Sequence, residues 1–104
     1  MGSYRGRLDI IADILQVVSQ QARKTQIMYR ANLSYKVLTR YLAEVSEASL
    51  INFEDEKQCY RLTTKGREFL EVYKEYSKVN RHIEKRLNEI NGKKKILEEL
   101  CSSA

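Results

Sequence analysis

The sequence predicts a mostly α-helical chain with one small β-hairpin, followed by a long C-terminal helix that pairs with a second copy of itself. Three observations predict this class. Apolar residues recur at helical spacing up to residue 47, alternate with polar residues between 51 and 62, and then return to helical spacing. A heptad rhythm runs through the last third of the chain. The sequence contains no proline, so nothing in it interrupts a long helix.

Composition limits the classes of protein to consider. The chain has 104 residues, 42% of them hydrophobic, which suits one compact domain with an appendage. No apolar run has the length of a membrane span and no signal peptide opens the sequence, so we expect a cytoplasmic protein. The two cysteines, Cys59 and Cys101, suit a reducing compartment. With the single histidine, His82, they offer no metal-ligand cluster, and we expect neither a cofactor nor an enzyme.

The first two elements are helices. In the first, over residues 7–18, Asp9 and Asp13 face solvent, and the apolar face consists of Leu8, Ile11, Ile14, Leu15 and Val18. Thr25 is the predicted N-cap of a short second helix over residues 26–31. The inward side chains of this second helix are Ile27 and Met28.

A third helix runs from Ser34 to about Glu47 after a tight connection at residues 32–34. Its predicted buried stripe is Leu38, Tyr41, Leu42 and Val45. The opposite, solvent-facing side carries Tyr35, Lys36, Thr39, Arg40 and Ala43.

Two short strands follow, around the polar turn at residues 55–58. Ile51 and Phe53 are expected to face inward on the first strand, and Tyr60 and Leu62 on the second. Thr63 or Thr64 then caps a fourth helix.

The heptad positions of the fourth helix form one narrow, mostly apolar stripe, made of Phe69, Tyr73, Tyr76, Asn80, Ile83, Leu87, Ile90, Lys94, Leu97 and Cys101. The small preceding domain cannot bury such a stripe, so we predict a homodimer that pairs through residues 69–90 of this set. The pair Asn91-Gly92 is a helix-stop signal, but the rhythm continues beyond it. We therefore predict a winged domain over 5–63 and a dimerisation helix over 64–101, bent or weakened near 91–92.

The order helix, short helix, helix, hairpin, helix is that of a winged helix-turn-helix. In such a domain the third helix projects its outer face into a DNA major groove. Cationic and hydroxyl side chains on that face are typical of phosphate and base contacts. The predicted contacts are Tyr35, Lys36, Thr39 and Arg40, together with Asn32 and Ser34 near the helix start and Lys24 and Arg30 of a basic N-terminal segment.

Charge supports an anionic partner only in part. The net charge is +5, and residues 1–30 hold five basic against two acidic side chains. The hairpin turn at 54–57 is acidic, which disfavours its contact with phosphates, so we expect the wing to point away from DNA. Two alternatives remain open. The charged faces could be solvated surfaces of a protein-interaction module in a transcription complex, or the chain could be a site-specific repressor.

Three segments resemble a known family: residues 24–35, KTQIMYRANLSY; residues 60–66, YRLTTKG; and residues 8–11, LDII. The chain resembles small archaeal winged-helix DNA-binding proteins that dimerise through a C-terminal antiparallel coiled coil, a group of chromatin-associated proteins. The resemblance implies non-enzymatic, nucleoid-associated binding of duplex DNA by a homodimer, with the third helix making the main contacts. The acidic turn and the lysine-rich tail beyond Ile90 depart from the family pattern.

Overall fold

The structure, a computed structural model, describes residues 5–102. The described residues form six elements: α1 Arg7–Val18, α2 Lys24–Arg30, α3 Tyr35–Glu47, β1 Ile51–Glu54, β2 Cys59–Leu62 and α4 Thr64–Cys101. The two strands pair antiparallel, with Ile51 opposite Leu62 and Phe53 opposite Tyr60. The predicted fold class, mostly helical with one hairpin and a long last helix, is confirmed.

The core lies between α1, α2, α3 and the start of the hairpin. Its most buried side chains are less than 2% exposed: Ile14, Leu15, Val18, Ile27, Leu38 and Val45. Each such burial contributes roughly 1.5–3 kcal/mol. The predicted apolar stripe of α3 is buried as expected, which leaves the opposite face of α3 in solvent.

The second helix begins earlier than predicted, at Lys24, and Thr25 is not its cap. Arg23 stands at the N-cap position, and its backbone N–H donates to Oε1 of Gln26 at 2.9 Å. Gln26 therefore satisfies an otherwise unpaired backbone donor at the helix start. Sequence reasoning favoured Thr25 because its hydroxyl is a good cap, but a glutamine at the third helical position supplies the bond instead.

The second and third helices are joined by a tight reversal. Asn32 adopts a left-handed backbone with φ of 54°, which asparagine tolerates better than most residues. The N–H of Leu33 donates to the carbonyl of Met28 at 3.0 Å, and that of Asn32 donates to Tyr29 at 3.2 Å. These two bonds form a Schellman motif that ends α2 and allows α3 to start almost at once.

Asp9 does not face solvent as predicted. It is half-buried, and its carboxylate accepts hydrogen bonds from the Gly6 backbone N–H at 2.9 Å and from the Tyr73 hydroxyl. These two donors, the Tyr73 hydroxyl first, lower the pKa of the Asp9 carboxyl. Because Tyr73 lies 64 residues further along the chain, this contact joins the first turn of α1 to α4.

The hairpin reverses two predicted orientations. Phe53, expected inward, is 45% exposed, whereas Cys59, expected outward, is buried. The reason lies in the neighbours of β2: Tyr60 exchanges two backbone hydrogen bonds with Ala22, at 2.8 and 3.2 Å, which brings the α1–α2 connection beside the hairpin and covers Cys59. The Phe53 ring instead packs edge-on against Tyr60, with 5.0 Å between the ring centroids.

Helix α4 is capped by Thr63, one of the two residues predicted as its cap. Its Oγ1 accepts from the Gly66 N–H at 3.0 Å, and its backbone N–H donates to the Leu50 carbonyl at 3.1 Å. A Cβ at Gly66 would stand 2.3 Å from that carbonyl oxygen. Glycine is thus required where α4 passes closely over the α3–β1 connection.

The chain separates into two compact units, Met1–Tyr73 and Lys74–Ala104. Helix α4 includes Asn91 and Gly92, so the predicted continuation past this pair is helical. From Lys74 to Ser102 every residue except Ser77 is exposed. None of the described helices has the length and apolar character needed to cross a membrane.

Candidate nucleic-acid interface

The outer face of α3 carries the predicted contact residues. Tyr35, Lys36, Thr39 and Arg40 are all exposed, and they lie opposite the buried Leu38. Because the apolar face of α3 is held in the core, its polar face is fixed toward solvent. The structure therefore brings four of the predicted residues onto one surface, which we call the α3 face.

Lys24 joins this surface from α2. Its Nζ lies 4.2 Å from the centroid of the Tyr35 ring, a cation–π contact. The contact links the first turn of α2 to the first turn of α3, and it holds one ammonium group beside the exposed start of α3. Lys24 and Tyr35, both predicted contact residues, are thus neighbours on this surface.

Two further residues of the α3 face have restricted side chains. The Thr39 hydroxyl donates to the Tyr35 carbonyl at 2.8 Å, so its oxygen remains available only as an acceptor. The guanidinium carbon of Arg40 lies 5.3 Å from the centroid of the buried Tyr41 ring. This packing limits the positions that the Arg40 side chain can take, while its donors remain exposed.

Asn32 and Ser34 also have structural roles in the tight connection between α2 and α3. Oγ of Ser34 accepts from the Val37 N–H at 3.2 Å and so caps α3. Asn32 occupies the left-handed position of the Schellman motif, and its carbonyl accepts from Arg5 at 2.9 Å. Both residues lie at the start of α3, so their exposed side chains remain beside the α3 face.

The basic N-terminal segment has fewer cations available for phosphate contacts than its charge indicates. Arg5 donates to Asp13 at 2.8 Å and to the carbonyl of Ala31 at 2.7 Å, and Arg7 forms an ion pair with Glu44 of α3. These two cations hold α1 against the helix-turn-helix. Arg30, the predicted contact at the end of α2, is exposed.

The wing keeps its acidic character. Arg61 pairs with Glu54 at 3.3 Å, so the charges of these two residues offset each other. Asp55, Glu56 and Lys57 are exposed at the tip. The arrangement disfavours a phosphate contact by the turn, because a net negative charge repels the backbone of DNA.

The predicted dimerisation residues divide into two groups. Phe69 packs against the core, and the Phe69 and Tyr73 rings stack at 6.3 Å between centroids, so both residues make contacts within the N-terminal unit. The others lie on exposed positions of α4: Tyr76, Asn80, Ile83, Leu87 and Ile90.

Sequence reasoning missed four exposed apolar side chains on α4: Val72, Val79, Ile96 and Leu100. Each of them stands one residue before a position of the predicted stripe. The signal was present, because valine at 79 is more apolar than asparagine at 80. Including these residues widens the stripe on one side.

The described residues contain no group of three or more His, Cys, Asp or Glu side chains that could hold a metal ion. The two surfaces that could bind a partner are the cationic, hydroxyl-bearing α3 face and the exposed apolar stripe of α4.

Comparison with known proteins identifies the fold. No curated protein sequence matches the chain. Among solved structures, Sso10a-2, a DNA-binding protein from Sulfolobus solfataricus, has a similar fold, with a TM-score of 0.77 and 22% sequence identity over 96% of this chain and 100% of that chain. This likeness confirms the resemblance to small archaeal winged-helix proteins. A sequence model described as winged helix-turn-helix matches residues 4–81, and the chain belongs to that family.

Proposed function

We propose that the chain is a non-enzymatic protein that binds duplex DNA as a homodimer, in an architectural or transcription-regulatory role. The α3 face carries this proposal. A nucleoid-associated location follows from it. The similar solved structure is that of a DNA-binding protein, which supports the same assignment.

The α3 face has the chemistry that a major groove requires. Lys24, Lys36 and Arg40 supply positive charge for phosphates or guanine edges. Tyr35, 64% exposed, and Thr39 supply hydroxyl groups. The Schellman reversal and the Ser34 cap fix the start of α3, so these groups are held in position before DNA arrives, which limits the entropy lost on binding.

The exposed stripe of α4 supports a second copy as the partner. Ile83, Leu87 and Ile90 lie in the C-terminal unit, where the protomer does not bury them. Large exposed apolar patches are typical of interaction sites. In a parallel, in-register pair, Lys94 would face Lys94 of the second copy. Antiparallel pairing avoids this repulsion, and it agrees with the family resemblance. A dimer presents two α3 faces, which raises the affinity for one duplex.

The test is a gel-shift titration of the full chain against random-sequence duplex DNA at two salt concentrations. We expect Lys36→Ala with Arg40→Ala to weaken binding and to reduce the salt slope by about one to two units, because each lost phosphate contact removes close to one released counterion.

Lys78→Ala with Lys85→Ala is the matched control. It removes the same charge from exposed positions of α4, outside the α3 face, and we expect the salt slope to stay nearly unchanged. Equal effects of the two pairs would mean that binding follows net charge alone. An unchanged affinity in the Lys36 and Arg40 variant would reject the α3 face as the contact surface.

The exposed acidic tip of the wing favours a second candidate function, a scaffold for a basic protein partner. This function predicts no measurable duplex binding at physiological salt. The same titration therefore separates the two, and competition between random and selected duplexes would reveal site-specific binding.

A further inference from the structure

Arg5, which precedes α1, joins two separate parts of the N-terminal unit. Its Nη1 donates to the Asp13 carboxylate at 2.8 Å and to the Ala31 carbonyl at 2.7 Å, and its Nη2 donates to the Asn32 carbonyl at 2.9 Å. These acceptors lie 8, 26 and 27 residues further along the chain. The guanidinium group therefore ties α1 to the reversal between α2 and α3.

The two carbonyl groups belong to the end of α2, where the backbone needs partners from outside the helix. Ala31 is the C-cap residue of α2 and is only 3% exposed. The last carbonyls of a helix have no partner within it, and a buried carbonyl without a hydrogen bond is costly. Asn32, directly after it, is held in the left-handed conformation. Arg5 thus supplies hydrogen bonds at the point where the chain reverses direction.

The same hydrogen bonds leave Arg5 poorly suited to a direct contact with DNA. Its Nη1, which carries two hydrogens, already donates to two acceptors. The carboxylate of Asp13 offsets the positive charge, and the Arg5 side chain is only 32% exposed. The contribution of Arg5 to an interface is therefore to hold other residues in place.

We infer that Arg5 is a positioning residue for the α3 face. It fixes the reversal at residues 31–33, and the reversal fixes the direction of the first turn of α3, which carries Tyr35 and Lys36. This inference rests on the proposed function, and it adds a residue that controls DNA affinity without touching DNA. A surface that is held in place before binding loses less entropy when the ligand arrives.

Arginine and lysine differ in the property that this role requires. The planar guanidinium presents its donors in a fixed fork that reaches two carbonyls and a carboxylate at once, whereas an ammonium group is a point charge on a flexible stem. Arg5→Lys therefore keeps the charge and removes the geometry. A residue that binds phosphate through its charge alone would tolerate the same change.

The gel shift of the full chain against random-sequence duplex DNA measures this difference. We expect Arg5→Lys and Arg5→Ala each to raise the dissociation constant by about threefold or more, because the start of α3 is no longer fixed. The salt slope should keep its parent value in both variants, because no phosphate contact is lost. Titration at high DNA concentration gives the active fraction, so a loss of folded protein is not mistaken for a loss of affinity.

Arg7→Lys is the matched control. Arg7 forms an ion pair with one carboxylate, that of Glu44, and a lysine can form the same pair. We expect its dissociation constant to equal that of the parent chain. Parent-like affinity of Arg5→Lys, together with a salt slope lowered by about one in Arg5→Ala, would make Arg5 a phosphate contact and overturn the inference.

Asp13 allows a test in which charge and position predict opposite signs. Asp13→Ala raises the net charge by one, so a charge effect alone would strengthen DNA binding. The change also removes the acceptor that orients Arg5, so we expect weaker binding instead. In the Arg5→Ala background the same change should not weaken binding further. Binding by Asp13→Ala at parent strength or tighter would contradict the inference.

Hydrogen exchange of single amides separates a local effect from a global one. The Leu33 N–H donates to Met28 within the reversal, whereas the Tyr60 N–H donates to Ala22 beside the hairpin. In Arg5→Lys we expect the Leu33 amide to exchange about tenfold faster and the Tyr60 amide to keep its parent rate. Equal acceleration of both amides would mean that Arg5 stabilises the whole unit rather than the reversal, and the positioning role would be rejected.

The parent chain distinguishes the two possible failures. If the parent chain binds duplex DNA and Arg5→Lys binds it equally well, the role of Arg5 alone is rejected. If the parent chain does not bind duplex DNA, the proposed function is rejected, and the role of Arg5 in binding falls with it.

Discussion

The two compact units of the chain use similar apolar periodicity in different ways. In Met1–Tyr73 the apolar positions of the helices form a closed core, and Leu38 of α3 is completely buried. In Lys74–Ala104 the apolar positions remain in solvent, and Leu87 is 52% exposed. A periodic apolar stripe therefore predicts that a helix face is to be covered, but it does not tell whether the covering surface belongs to the same chain.

Two leucine-to-alanine changes, one in each unit, should differ most in their effect on stability. We expect Leu38→Ala to lower the free energy of unfolding by about 2–5 kcal/mol at any protein concentration, because it opens a cavity in the N-terminal core. Leu87→Ala should leave the fold of the N-terminal unit intact and weaken only a concentration-dependent dimer transition.

Thermal denaturation across a hundredfold range of protein concentration checks this pair. If the effect of Leu87→Ala were independent of concentration, Leu87 would be covered within its own protomer, and the contrast between the two units would be lost.

The two helical glycines of α4 provide the next contrast. Gly66→Ala should destabilise the N-terminal unit by about 1–3 kcal/mol, because the added Cβ meets the Leu50 carbonyl oxygen and the Leu62 side chain. At Gly92 a Cβ has no neighbour within 4 Å. Gly92→Ala should therefore stabilise the helix by about 1 kcal/mol through its higher helix propensity.

Denaturant titration of both variants, monitored by circular dichroism, measures these opposite changes in stability. A loss of helix in Gly92→Ala would mean that a second copy approaches closely at this position. In that case the residue would belong to the interface rather than to an open face.

The smallest expected effect on stability comes from the Asp9 carboxylate. Its pKa is lowered from the ordinary value of 3.8, first by the Tyr73 hydroxyl and then by the Gly6 N–H. A carboxylate whose pKa is lower in the folded chain stabilises the fold above its unfolded pKa, and this contribution is lost as the pH falls through the folded pKa. Because solvent still reaches the carboxylate and screens it, we expect less than about 1 kcal/mol.

The free energy of unfolding, measured between acidic and neutral pH, tests this contribution of Asp9. Asp9→Asn should be less stable than the parent chain at neutral pH, and the difference should disappear under acidic conditions. Tyr73→Phe removes only the hydroxyl donor and should reproduce part of the loss. If Tyr73→Phe had no effect on stability at neutral pH, the ring stacking on Phe69, which the variant keeps, would matter more than the hydrogen bond.

The local elements could be predicted because their signals are local. The stripe of Leu38, Tyr41, Leu42 and Val45 follows from helical periodicity, and the cap at Thr63 is one of the two that the sequence predicts. The α3 face is the complement of that stripe, so its four exposed residues were also predictable.

Contacts between distant segments could not be predicted in the same way. The pairing of Arg5 with the Ala31 carbonyl, and of Arg7 with Glu44, depends on how α1 packs against the helix-turn-helix. The burial of Cys59 depends on its neighbour Tyr60 pairing with Ala22, which lies outside the hairpin. Periodicity within a strand cannot report such a neighbour.

The Lys24–Tyr35 contact allows a fluorescent reporter to be placed on the α3 face. The chain contains no tryptophan, and an indole ring accepts a cation at least as well as a phenol ring does. Tyr35→Trp should therefore keep the lysine in place and supply a single fluorophore at the centre of the surface. Its emission would change when an oligonucleotide covers it, so occupancy could be followed in real time without attaching a dye.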